Sequence, residues 1–198
     1  MGTRNVTIII KNGETKVRQY GQWDGYPTTA ISALCKVLKD EEMLVALNQN
    51  VQRCKLIAED EVMRWREADM LRKAANSFER IADYLRAQGK CHSDFSSVKE
   101  WVEYICQAFP REDVQFYELQ CRDTGFYIAE VIATCGFEGE LLVPDCGITD
   151  VEGGIAAVNI IDLDQRMLFA NWRGVHSRWS FDALPSDEKL EAYENAGE

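Results

Sequence analysis

The run NVTIIIKNGETKVRQYGQW, residues 5–23, limits the fold more than any other part of the chain. Two stretches rich in β-branched residues flank Asn12-Gly13, and a type I′ turn needs positive φ at both central residues, which Asn and Gly tolerate best. A two-residue loop predicts the register: Lys11 opposite Glu14, Ile8 opposite Val17 and Thr3 opposite Gln22. One face of the hairpin then carries Val6, Ile8, Ile10 and Val17. The other carries Thr3, Asn5 and Thr7 beside Tyr20, Gln22 and Asp24. The chain's start lies opposite Trp23.

Pro27 breaks the second strand, and Thr28 or Thr29 is placed to cap a helix carrying Ile31, Leu34, Cys35 and Leu38 at three-four spacing. Asp40 caps a second helix with Met43, Leu44 and Leu47 as its stripe. Residues 52–88 have helical propensity almost throughout, with a seam of Leu71, Ala74, Phe78, Ile81 and Leu85. SVKE at 97–100 forms a capping box before a helix that Pro110 ends. VQFYEL is a short strand or extended segment, RDTGFYIAEVI a capped helix or, by its β-branched and aromatic content, a strand, and GFEGELLVPDCGITDVEGG a loop-rich stretch. AAVNIIDLD and MLFANW make a second hairpin, and SFDALPSDEKLEAY a turn and a terminal helix with Ser186 as cap. Hairpins at both ends with helices between them predict an α+β fold: an antiparallel sheet from the N- and C-terminal hairpins, covered by helices. The expected organisation is one domain over 1–198, with 1–39 and 113–198 as the α/β core and 40–112 as a helical insertion.

Composition narrows function mainly by exclusion. The net charge of −11 argues against direct nucleic-acid binding, because backbone phosphates demand clustered Lys and Arg. No apolar run reaches the length of a membrane span, and the start lacks a signal layout, so a cytoplasmic protein is expected. Seven cysteines without CxxC spacing, and only two histidines, predict reduced thiols and no metal site. No phosphate-binding GxxxxGK, no zinc signature and no nucleophile-elbow GxSxG is present, and no cofactor is expected.

The opening GTRNVTIIIKNGETKVRQYGQWDGYP, the central CRDTG and the closing IIDLD with FDALPSDEKL resemble a family of uncharacterised proteins found in phages, bacteria and fungi. Members open with Met-Gly/Cys-Thr-Arg, carry QYGQWDGYP after the first hairpin, then RDTG, then a tyrosine-rich strand ending in IDLD. Here GGIAAVN replaces the aromatic text before IDLD. The start is also similar, more distantly, to N-terminal-nucleophile (Ntn) hydrolases of the bile-salt hydrolase and ceramidase type. That likeness implies an Ntn-like sheet and makes Thr3 the candidate nucleophile, provided cleavage exposes its amine; removal of Met1 alone exposes Gly2.

Two readings of the first motif stand side by side. In the structural one Asp24-Gly25 with Pro27 makes a turn, Trp23 fills the core, and Asp24 pairs with Arg4 or caps the next helix. In the functional one Thr3, Arg4, Asn5, Tyr20, Gln22, Trp23, Asp24 and Tyr26 wall a site for a small polar ligand. Arg122 and Asp123 are either a helix cap or an anion-binding corner. Asp162 and Asp164 share a strand face just before a turn, where Asp is favoured with or without a metal. His176 lies among Trp172, Arg173, Arg178 and Trp179, a basic-aromatic cluster that is either a surface loop or a partner site. The functional expectation is a non-catalytic, phage-type binding protein of the host cell cytosol, an inhibitor of host defence acting on a host protein or a small polar ligand. The alternatives are an Ntn-type amidohydrolase and a nucleotide-sequestering protein.

Overall fold

The computed structural model describes residues 2–58, 60–61, 114–116, 125–136, 138–151 and 153–197. The chain divides into two units, Met1–Ile57 with Val114–Glu198, and Ala58–Asp113. The seam at 71–85, the capping box at 97–100 and the Arg122-Asp123-Thr124 cluster lie outside the described residues.

The first unit is α+β. Its strands are β1 (Asn5–Lys11), β2 (Glu14–Gly21), β3 (Cys54–Ile57), β4 (Val114–Phe116), β5 (Glu140–Pro144), β6 (Ala157–Asp162), β7 (Met167–Trp172) and β8 (Val175–Ser180). Its helices are α1 (Pro27–Lys39), α2 (Glu41–Asn50), α3 (Ile128–Ala133) and α4 (Asp187–Ala196), with a 3-10 turn at Gly125–Tyr127. The main sheet has five strands in the order β2-β1-β6-β7-β8. Both terminal hairpins form, but the strands that join them, β1 and β6, run parallel, so the sheet is mixed rather than antiparallel. A three-stranded parallel sheet, β3-β5-β4, accompanies it.

Two of these strands contradict local signals. Cys54–Ile57 lies in a stretch of helical propensity, and Glu140–Pro144 in a stretch read as loop. Each finds its backbone partners in the other, and non-local pairing of this kind overrides propensity in short apolar segments. β8 was legible in principle: Arg173-Gly174 is a two-residue turn with φ of 47° and 90° between two β-rich runs. α2 and β3, grouped above with the insertion, are built into the first unit. Leu47 of α2 is buried in the same core as Ile31, Leu34, Cys35 and Leu38 of α1.

Helix ends follow the same division between local and distant partners. Asp40 caps α2 as expected, its Oδ1 accepting from Met43 N at 3.0 Å. For α1 the cap comes from elsewhere. Pro27 is the first helical residue, and the carboxylate of Glu194 on α4 accepts from Thr28 N at 3.0 Å and from Thr28 Oγ1 at 2.7 Å. A carboxylate at a helix N-terminus satisfies a free amide and opposes the positive end of the dipole.

The register of the first hairpin is the main correction. Asn12 and Gly13 take φ of 56° and 72°, and Lys11 pairs with Glu14 and Ile10 with Thr15, as the turn predicts. The pairing then slips at a β-bulge, so that Ile9 faces Val17, Ile8 faces Arg18, Thr7 faces Gln19 and Val6 faces Tyr20. Lys16 is the extra residue. Without the bulge Lys16 would face Ile9 and Arg18 would face Thr7, putting two cations on the face that packs against the helices. Burying unpaired ammonium and guanidinium groups costs far more than one irregular pair, so the bulge holds both cations off that face. The bulge also moves Tyr20 to the face opposite Asn5 and Thr7.

Candidate functional site

The chain start and the QYGQWDGYP segment are clamped together. Gly2 lies so close to Trp23 that a Cβ there would come within 2.1 Å of the indole ring. Gly25 N donates to Thr3 O at 3.0 Å, and Asn5 Nδ2 donates to Trp23 O at 3.0 Å. The start therefore does lie against Trp23, but Trp23 is 51% exposed and does not fill the core. Asp24 is exposed at φ 54°, Tyr26 meets the buried Trp172 with ring centroids 5.8 Å apart, and Tyr20 Oη donates to Gln22 Oε1. Thr3 is buried, behind Gly2 in the chain.

Asn5 is the centre of this arrangement. A Cβ at Gly21, Gly25 or Gly125 would come within 2.9 Å of Asn5 side-chain atoms, and one at Gly21 within 2.7 Å of the Gly125 Cα. Three glycines from two separate motifs thus make room for one amide. Close approach explains the glycines of QYGQWDGYP and RDTG physically, since any side chain there would collide with Asn5 or with backbone.

On the helix-covered face Asn5 continues into a polar row. Thr7 sits between Gln19 of β2 and Asn159 of β6, flanked above and below by core residues such as Ile9 and Ala157. Asn5 and Thr7 are 0% exposed, and Gln19 and Asn159 are 1% exposed. Asn5 Oδ1, Thr7 Oγ1, Gln19 Oε1 and Asn159 Nδ2 all lack a hydrogen-bond partner. One such atom costs about 1–3 kcal/mol, and four would offset much of the roughly 5–15 kcal/mol by which a domain is stable.

The outer face differs. Two of its transverse rows run Tyr20–Val6–Val158–Asn171–His176 and Arg18–Ile8–Ile160–Phe169–Arg178. A strap that follows β5 (145–151 and 153–156) crosses the middle, packing Cys146, Ile148, Val151 and Ile155 on Val6, Ile8 and Val158. Its near end is tied by Asp145 to Arg18 at 3.3 Å, and its middle by Asp150 Oδ1, which accepts from Asn171 Nδ2 at 2.9 Å. Between the strap and β8 lies a cleft of about 530 Å³. Its floor is Val158, Ile160 and Phe169; its rim is Asn171, His176 and Arg178 on one side and Thr149 and Asp150 on the other. A second cleft, about 650 Å³, opens between the strap and Arg4 with Tyr20.

Strand alternation divides the basic-aromatic cluster of NWRGVHSRW. Trp172 is buried toward the helices under the Arg173 guanidinium, 4.6 Å from its ring, and Trp179 packs on the same core. His176 and Arg178 point the other way, into the cleft. The sequence singled out these two but not Phe169 or Asn171, whose only signal was β8 itself, since a third paired strand makes every second residue of β7 part of the floor; Asp150 joins them through the strap.

The aspartates of IIDLD serve turns. Asp162 Oδ1 accepts from Asp164 N and Gln165 N at 3.0 and 2.9 Å. Asp164 accepts from Gly13 N at 2.8 Å and from Lys11 Nζ at 3.2 Å, tying the two hairpin turns together. The backbone amides of Gly13 and Asn12, more than Lys11, hold its carboxyl below the usual range. Among the described residues no cluster of three His, Cys, Asp or Glu is placed to hold a metal. Cys35, Cys54 and Cys146 are free thiols, and burial pushes Cys35 up to about 11 and Cys54 up to about 12, far from a reactive thiolate. No helix of the described residues is long and apolar enough to cross a membrane. Comparison with protein-family models, with curated proteins and with solved structures finds no match to this chain.

Proposed function

We propose that this chain is a non-catalytic binding protein of the phage type that holds a small anionic ligand in the outer cleft and acts in the host cytosol, countering a defence that depends on that ligand. The cleft carries the reading. Its apolar floor suits a planar or hydrophobic body, Arg178 supplies a fixed positive charge, and Asn171, His176 and Asp150 supply directional polar groups at the rim. Arg178 favours an anionic group at its own end of the cleft, while the Asp150 carboxylate is tied to Asn171 in the neighbouring row. The host-defence role is supported by the resemblance to phage-borne proteins.

Thermal-shift titration with AMP, cyclic AMP and ADP-ribose tests the reading. At least one of them is expected to raise Tm in a saturable way, as a ligand that binds only the folded state must. Arg178→Ala is expected to weaken that binding about tenfold or more, the loss of one charge-assisted hydrogen bond. If no nucleotide shifts the wild type, or if Arg178→Ala binds equally well, the cleft is not an anion site. Stoichiometric capture of a host protein instead would move the reading to a protein inhibitor.

A further inference from the structure

The outer cleft leaves the polar row on the opposite face unexplained. Asn5, Thr7, Gln19 and Asn159 are fully buried, lie on three adjacent strands, and each presents one unpaired atom to the helix-covered side. The amide orientations are set from outside. Asn5 Nδ2 is used by Trp23 O, and Gln19 Nε2 by Tyr20 O at 3.1 Å, which leaves both buried side-chain oxygens without a donor. Thr7 lies directly between Gln19 and Asn159 in the pairing, yet its hydroxyl, Gln19 Oε1 and Asn159 Nδ2 make no hydrogen bond to one another or to any other group.

From this we infer that the sheet–helix interface encloses a second, separate binding site, built by Asn5, Thr7, Gln19 and Asn159 for a small neutral guest that both donates and accepts hydrogen bonds. The class follows from the groups. Two carboxamide oxygens require donors, the Asn159 amide requires an acceptor, and the Thr7 hydroxyl serves either. All four side chains are neutral, so an ion would be left without a counter-charge in a dry interior. Ordered water and a small amide-like or polyol solute share this chemistry. The site sits directly behind the glycine cage of Asn5, which links the two halves of the sequence motif to what they enclose.

Thr7→Val tests the inference, because it keeps the shape and removes only the hydroxyl. If a guest bonds to Thr7, the variant loses a hydrogen bond and Tm is expected to fall by about 3–6 °C, with Thr7→Ser restoring most of it. If the row is empty, the substitution removes an unpaired polar atom and Tm holds or rises, which overturns the site. A wild-type measurement covers a variant that does not fold: a high-resolution crystal structure, or water–protein NOEs to the Asn159 amide, must show a guest in contact with these atoms. Mass spectrometry of small molecules released on denaturation separates the sources. Solvent alone, with a guest seen, identifies water, a neutral solute identifies a ligand, and a stoichiometric charged species overturns the assigned class. None of these outcomes bears on nucleotide binding at Arg178.

Discussion

On the helix-covered face of the main sheet Thr7 lies between Gln19 and Asn159; one residue further, on the outer face, Ile8 lies between Arg18 and Ile160. The first row is polar, neutral and sealed. The second has an apolar middle and charged ends, and part of it is open. The same strands make both. A single bulge residue, Lys16, assigns each β2 side chain beyond it to its face, and the assignment follows charge more strictly than polarity. Amides and a hydroxyl are accepted inside, where they can be bridged; guanidinium groups are kept out.

Introducing charge should break this contrast most sharply. Thr7→Asp places a carboxylate among neutral amides and is expected to cost about 3–5 kcal/mol, measured by urea denaturation. Arg178→Asp, in an exposed position on the outer face, is expected to stay within about 0.5 kcal/mol. Equal costs would mean that the two faces are not electrostatically distinct. Next comes the cage. Gly125→Ala puts a Cβ 2.9 Å from Asn5 Oδ1 and 3.0 Å from the Gly21 Cα at a φ of 41°, and should cost about 2–3 kcal/mol. A smaller loss would mean that the Asn5 surroundings can relax.

The mildest test uses the core that the helix-covered face helps build. Cys35 and Cys54 ionise near 11 and 12 in the fold because burial disfavours the thiolate, against an ordinary value of 9.0. The unfolded chain therefore loses its thiol protons first. Stability from these groups is whole below pH 9 and declines as pH rises from there toward 11 to 12. Cys54→Ala should flatten the decline seen in urea midpoints between roughly pH 9 and pH 11. An unchanged slope would assign the alkaline loss to other groups, among them Tyr193, whose burial pushes it up to about 12.

The legible parts of the sequence were those fixed by neighbours in the chain. Asn12-Gly13 specified its turn, Asp40 its cap, and Ile31, Leu34 and Leu38 their helical stripe, because each depends on atoms within a few residues. What was missed depends on distant partners. The bulge at Lys16 answers to a helix layer that the hairpin alone does not contain. β3 and β5 exist because they pair, and the α1 cap comes from Glu194. The candidate site was half legible for the same reason. The hairpin singled out Asn5, and NWRGVHSRW singled out His176 and Arg178 as either a surface loop or a partner site, yet the faces on which they stand, and the strap over Val158, come from tertiary packing.

The parallel contact between β1 and β6 also sets a schedule. Gly13 and Asp164, which meet at the two hairpin turns, are 151 residues apart in the chain. On a ribosome adding about 5–20 residues per second, the first hairpin must wait several seconds or more for the strand that completes it. During that interval the open edge of Asn5–Lys11, with Val6, Ile8 and Ile9, is a free template for any passing strand. The chain is thus most exposed to misassembly before its last third emerges, and a chaperone that shields one β-edge would matter more to its yield than to its final stability.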